Sequence, residues 1–145
     1  MTRWLRKSWS DRSGATAVEF AVVIGPFILL LLGSIEFGRA LWSRQALQEV
    51  ATIAARCAAI PQPACANMTA YDADKTLKMV LDLAAHNGLK LAESDVSIER
   101  STSCSGLNGF TEASLSYDFD TPAKPLLGVF LDDLRFHADA CYPNE

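Results

Sequence analysis

Apolar residues fall into three successive patterns along this chain. From Ala15 to Ile35 they run almost without interruption, and Glu19 is the single ionisable side chain among 21 positions. At about 1.5 Å of rise per residue, a helix of that length covers about 32 Å, enough to cross a hydrocarbon core of about 30 Å. From Glu36 to Ile60 apolar residues recur at helical spacing, at Phe37, Leu41, Leu47, Val50, Ala54 and Cys57, with Ala40, Ala46 and Ile53 beside them. Arg39, Ser43, Arg44, Gln48, Glu49, Thr52 and Arg56 fill the positions between. This predicts an amphipathic extension of the same helix, a rod of about 46 residues and roughly 70 Å, stopped by Pro61 and Pro63.

A second helix is predicted from about Thr69 to His86, with Thr69 and Asp72 spaced as a capping box, Leu77, Val80, Leu81 and Ala84 as the buried stripe, and Asn87-Gly88 as the stop. Beyond it the period changes to two. Val96 and Ile98 share one face. Thr111, Ala113, Leu115, Tyr117 and Phe119 alternate, as do Leu134, Phe136, Ala138, Ala140 and Tyr142. These read as three strands of an antiparallel sheet with one buried face, and Ser105 to Gly109 as the turn between the first two. The Asp120 to Asp133 connection is broken by Pro122 and Pro125. It contains an apolar stretch, Pro125 to Asp133, predicted to help close the core, with a docking surface as the other reading. The fold class is therefore α+β. A long N-terminal transmembrane and amphipathic helix and a second helix pack on a three-stranded antiparallel sheet. The boundaries are 1–14 for a basic arm, 15–35 for the span, 36–60 for the helical extension and 61–145 for a small exported domain.

Charge sharpens the topology. Arg3, Arg6, Lys7 and Arg12 against Asp11 make the arm +3, while the whole chain is −4, which leaves −7 for the remainder. A basic arm before a span favours an N-terminus kept in the cytoplasm and a C-terminal domain on the far side. The apolar block exceeds the 7–15 residues or so of a secretory h-region, and no small-x-small site closes it, so a signal-anchor is expected. Trp42 lies just past the span, where an interfacial anchor would sit. Acidity of the exported part disfavours nucleic acid as a partner.

All four cysteines, Cys57, Cys65, Cys104 and Cys141, fall in the exported part. In an oxidising compartment this predicts two disulfides. Of the three possible pairings, Cys57 with Cys65 is favoured because the Pro-Gln-Pro turn folds the chain back on the helix end, leaving Cys104 with Cys141. The second pair meets a parity conflict. Cys104 alternates in phase with Val96 and Ile98, whereas Cys141 alternates with Arg135 and His137 on the opposite face, so a bulge or a strand end is required. A zinc site is the alternative, but no C-x2-C pair occurs and His86 and His137 stand alone, so no metal and no cofactor are expected. His86 at a helix end, His137 on a polar strand face and the adjacent Asp132-Asp133 form no catalytic cluster. No nucleophile, phosphate-loop or dinucleotide motif is present either, so no enzyme is expected.

That leaves Glu19. A carboxylate within a span costs about 2.5–3.5 kcal/mol on insertion scales and calls for a partner. Cleavage after Gly14 would supply one, because Ala15 would gain a free amine four residues before Glu19, within the same helix or in a packed neighbour. Gly25-Pro26 in the middle of the span marks a helix kink, either a tolerated bend or a hinge used in packing.

A basic leader ending in glycine, with glutamate at the fifth apolar position, resembles the processing site of type IV pilin-like proteins. The wider stretch from Arg12 to Arg56, with "GATAVEFA", a proline-containing apolar run and "EFGRA", is similar to the TadE-like family of tight-adherence (Flp) pilus assembly proteins. The resemblance implies a pilin-like fold and a minor pilin or pseudopilin. A prepilin peptidase would cut it on the cytoplasmic side between Gly14 and Ala15, with Glu19 needed for processing or assembly. Implied partners are that peptidase, the major Flp pilin, other minor pilins, the inner-membrane assembly platform and membrane lipid. The implied location is the bacterial inner membrane, single-pass, with the C-terminal domain periplasmic or carried into the pilus at the cell surface. The alternative is an uncleaved membrane-anchored periplasmic binding or sensor module.

Overall fold

The computed structural model of the chain describes residues 13–60, 62–67, 70–122 and 134–144. Most of the basic arm, Pro61, Thr69 and the Pro125 to Asp133 stretch lie outside them. The elements are helix α1 (Ser13–Ala59), a two-residue pair β1 (Ala66–Asn67) and β2 (Ala70–Tyr71), helix α2 (Ala73–His86), a 3-10 turn (Glu93–Asp95), and strands β3 (Val96–Cys104), β4 (Leu107–Asp118) and β5 (Arg135–Pro143). Contacts divide the chain into two compact units, Met1–Phe37 and Gly38–Glu145. The fold is α+β, as the pattern predicts.

In the first unit α1 is apolar on all sides, and Val18, Phe20, Val22, Val23, Leu30 and Ile35 are exposed. It is long and apolar enough to cross a membrane once. The helix runs through Pro26, whose missing N–H removes the donor that would reach the Val22 carbonyl.

The second unit has one core. Ala46, Leu47, Val50, Ala51, Ala54 and Ala55 of α1 cluster with Val80 and Ala84 of α2, Leu89, and Ala113, Leu115 and Ala138 of the sheet. The buried stripe of α1 is thus shorter than its sequence period suggests. Phe37, Leu41 and Ile53 are exposed, and the stripe starts at Ala46, because burial follows what the sheet and α2 can cover.

Helix α2 starts later than expected. Asp72 is its N-cap, with extended backbone and its carboxylate accepting from the Lys75 N–H at 3.1 Å. Ala70 and Tyr71, where the sequence predicts helix, pair as a strand with Ala66 and Asn67 instead. The stripe of α2 is also rotated from the expected one. Thr76, Val80 and Ala84 are buried, Met79 and Leu83 pack beside them, and Leu77 and Leu81 are only half-buried. Thr76 tolerates burial because its hydroxyl donates to the Asp72 carbonyl at 2.8 Å. At the other end Leu89 N–H reaches Ala84 O at 2.9 Å and Gly88 N–H reaches Ala85 O at 3.0 Å. This double bond needs left-handed backbone at the following residue, supplied by Gly88 at φ 78°.

The sheet is an antiparallel meander in the order β3-β4-β5. The hairpin turn is tighter than expected. Ser105 (φ 51°) and Gly106 (φ 84°) alone make it, as a two-residue loop with both central residues left-handed, and Leu107 to Gly109 join β4.

Leu47 is fully buried. Leu47→Ala should therefore destabilise the second unit by about 2–5 kcal/mol in chemical unfolding of the detergent-solubilised chain, whereas Gln45→Ala on the exposed face should shift it by less than about 0.5 kcal/mol.

Candidate functional site

Gly14, Ala15 and Glu19 occupy the first two turns of α1. Ala15 and Glu19, four residues apart, lie on one helix face. All three are exposed. A Cβ at Gly14 would meet nothing within 4 Å, and its backbone is not left-handed. Nothing within the described chain therefore requires glycine at this position. The same holds at Gly25, so neither glycine is explained by internal packing.

The cysteines form the two expected bonds, Cys57–Cys65 and Cys104–Cys141. The first joins the last turn of α1 to the strand pair that leads into α2. There the Cys65 carbonyl accepts from the Asp72 N–H at 3.0 Å, and Asn67 donates to the Asp72 carboxylate. This ties the end of one helix to the start of the next.

The second bond is possible because β3 changes face. Val96 and Ile98 pair with Leu115 and Ala113 on the core side, and Glu99 pairs with Glu112 on the outer side. An extra residue then interrupts β3 before Thr102 pairs with Phe110, and a compensating one interrupts β4 before Ser103 pairs with Asn108. The positive φ of Ser101 (63°) and Gly109 (88°) marks the two bulges. Past them Cys104 has crossed to the outer face. Cys141, opposite Glu112, is already there. β3 and β5 flank β4, so two strand spacings, about 9.5 Å, should separate them. The Cα atoms of Cys104 and Cys141 are 6.4 Å apart, so the bulged hairpin end folds inward over β4.

Glu112 lies at this crossing. Its carboxylate and the two sulfurs all lie within 4.8 Å of one another. Alternation along the strands does not reveal this residue, because only the bulges bring side chains of three strands together. The parity conflict of the two cysteines was the available signal. Among the described residues His86 and His137 join no such group of metal-ligand atoms. The His86 ring nitrogen instead lies 2.8 Å from the Asp82 carbonyl of its own helix. Trp42, Gln45, Ala46, Glu49 and Asn87 line a shallow groove that holds one carboxylate and no nucleophile.

The model of the family described as TadE-like protein covers residues 14–56. The N-terminal part of the chain is TadE-like. The match begins at Gly14, runs through the apolar segment and ends one residue before Cys57, and it ties the chain to tight-adherence pilus assembly. No curated protein and no solved structure matches the chain.

In the chain-entropy picture, the bond across 37 residues should contribute about 4 kcal/mol and the one across 8 about 2.5 kcal/mol. Cys104→Ser with Cys141→Ser should therefore lower the unfolding midpoint more than Cys57→Ser with Cys65→Ser, when the oxidised variants are compared by denaturant titration.

Proposed function

We propose that the chain is a minor pilin or pseudopilin of a tight-adherence fibre, matured by cleavage between Gly14 and Ala15. One observation carries this reading. The TadE-like match starts at Gly14, and Ala15 and Glu19 follow it on one face of the helix. The glycine closes a basic arm and stands five residues before Glu19, the arrangement that a prepilin peptidase at the cytoplasmic membrane face would read. Cleavage gives Ala15 a cationic amine on the helix face that carries Glu19, so the intramembrane carboxylate gains its counter-charge only after processing, or on packing against a neighbour's terminus. Leader removal and entry into the fibre are thereby coupled.

The apolar segment anchors the subunit in the inner membrane in a single pass, with its second unit in the periplasm. The partners are the major pilin, other minor pilins and the assembly platform. The role is structural rather than enzymatic.

Mass analysis of protein from piliated cells should find Ala15 at the N-terminus. Glu19→Ala should insert normally but reduce recovery in sheared fibres by tenfold or more, on the order of the insertion-scale cost of one such charge. Intact arms together with wild-type incorporation of Glu19→Ala would leave only an uncleaved anchored module.

A further inference from the structure

The outer face of the sheet carries an arrangement that the assembly role does not use. Glu99 and Glu112 stand directly opposite each other on β3 and β4, and like charges so placed repel. Among the described residues neither pairs with a cation. Glu112 is half-buried, with Cys141 opposite it on β5 and Cys104 folded across from β3. A carboxylate is thus held against both sulfurs of a disulfide, on a face where a positive charge would relieve repulsion.

We propose that reduction of Cys104–Cys141 converts this strap into a binding site for a thiophilic divalent cation such as zinc, with Cys104, Cys141 and Glu112 as its three protein ligands. A dithiol reductant supplies two electrons and two protons to the S–S bond, leaving two thiols. The cation then displaces both thiol protons and is bound by two thiolates and one carboxylate. Zinc takes sulfur at about 2.3 Å and carboxylate oxygen at about 2.0–2.2 Å, so its tetrahedral ligands lie about 3.3–3.8 Å apart. The Glu112 carboxylate already lies within 4.8 Å of both sulfurs, and once the bond between them is broken, side-chain rotation on Cα atoms 6.4 Å apart lets the sulfurs separate to that spacing. Two thiolates select zinc or a softer ion over magnesium or calcium. Cys141 is exposed and gives an entry path, while Cys104 is buried. Water completes the fourth position. The cation would hold the bulged hairpin over β4 while the Cys104–Cys141 bond is open. This inference rests on the sheet geometry alone and stands whether or not Gly14 is cleaved.

The test uses the full chain in detergent micelles with Cys57→Ser and Cys65→Ser, reduced by dithiothreitol and freed of it without oxygen. Cobalt(II) titration should show thiolate-to-cobalt absorption saturating at one ion per chain and displaced by zinc. Glu112→Gln should weaken zinc binding by about tenfold or more. Absence of the absorption, or equal affinity in Glu112→Gln, overturns the proposal. A second measurement covers loss of fold in that background. In the reduced chain with all four cysteines, zinc should slow alkylation of Cys104 and Cys141 together, and Glu112→Gln should abolish the effect. Protection confined to Cys57 and Cys65, or equal at all four, overturns it.

Discussion

The second unit depends on the distal part of α1 serving as one wall of its core. Its contact face is made largely of Ala46, Ala51, Ala54, Ala55 and Ala58, with Leu47 and Val50 as the only larger side chains, and all are buried. All but Ala58 share one buried cluster with the small Ala84, Ala113 and Ala138. Such a core has few large side chains, Leu47 foremost, and two covalent ties supplement it. The Cys57–Cys65 bond fixes where α1 ends against the start of α2, and the Cys104–Cys141 bond fixes the sheet's far edge.

The same helix serves two different environments. Before residue 37 its apolar residues face outward on every side, as a lipid-facing segment must. After residue 38 it offers one apolar stripe to its own domain, and its other face is polar except at Leu41, Trp42 and Ile53. The TadE-like match spans that change of character and stops one residue before the first cysteine. The part of the chain that resembles the family is thus the helix, across both of its environments.

Much of this was legible from residue order. The period of two placed the boundaries of β4 and β5 within about three residues, because one face of each strand is buried; in β4 the alternation holds from Phe110 onward and fails only at the Gly109 bulge. The disulfide pairing was readable from the turn at Pro61 to Pro63. Two features were not. The start of α2 was misplaced because Thr69 and Asp72 imitate a capping box, whereas Ala70 and Tyr71 are held in a strand pair with Ala66 and Asn67. Glu112 was invisible as a partner of the cysteines because period counting assumes an unbroken strand, and β3 is broken at Ser101. Exposure of Phe37 and Leu41 likewise reflects the extent of the covering layer, which helical periodicity alone does not encode.

The bulged hairpin and its bond to β5 also govern how the molecule bears load. Cys104 and Cys141 are joined across 37 peptide steps, a length that would pay out about 130 Å if stretched. A pull applied to the backbone outside that loop passes through the sulfur bridge instead, bypassing β4 and most of β5. Between its helices and its C-terminus the chain would therefore carry load through the run before β3 and through β3 itself, while β4 and most of β5 stayed off the force path.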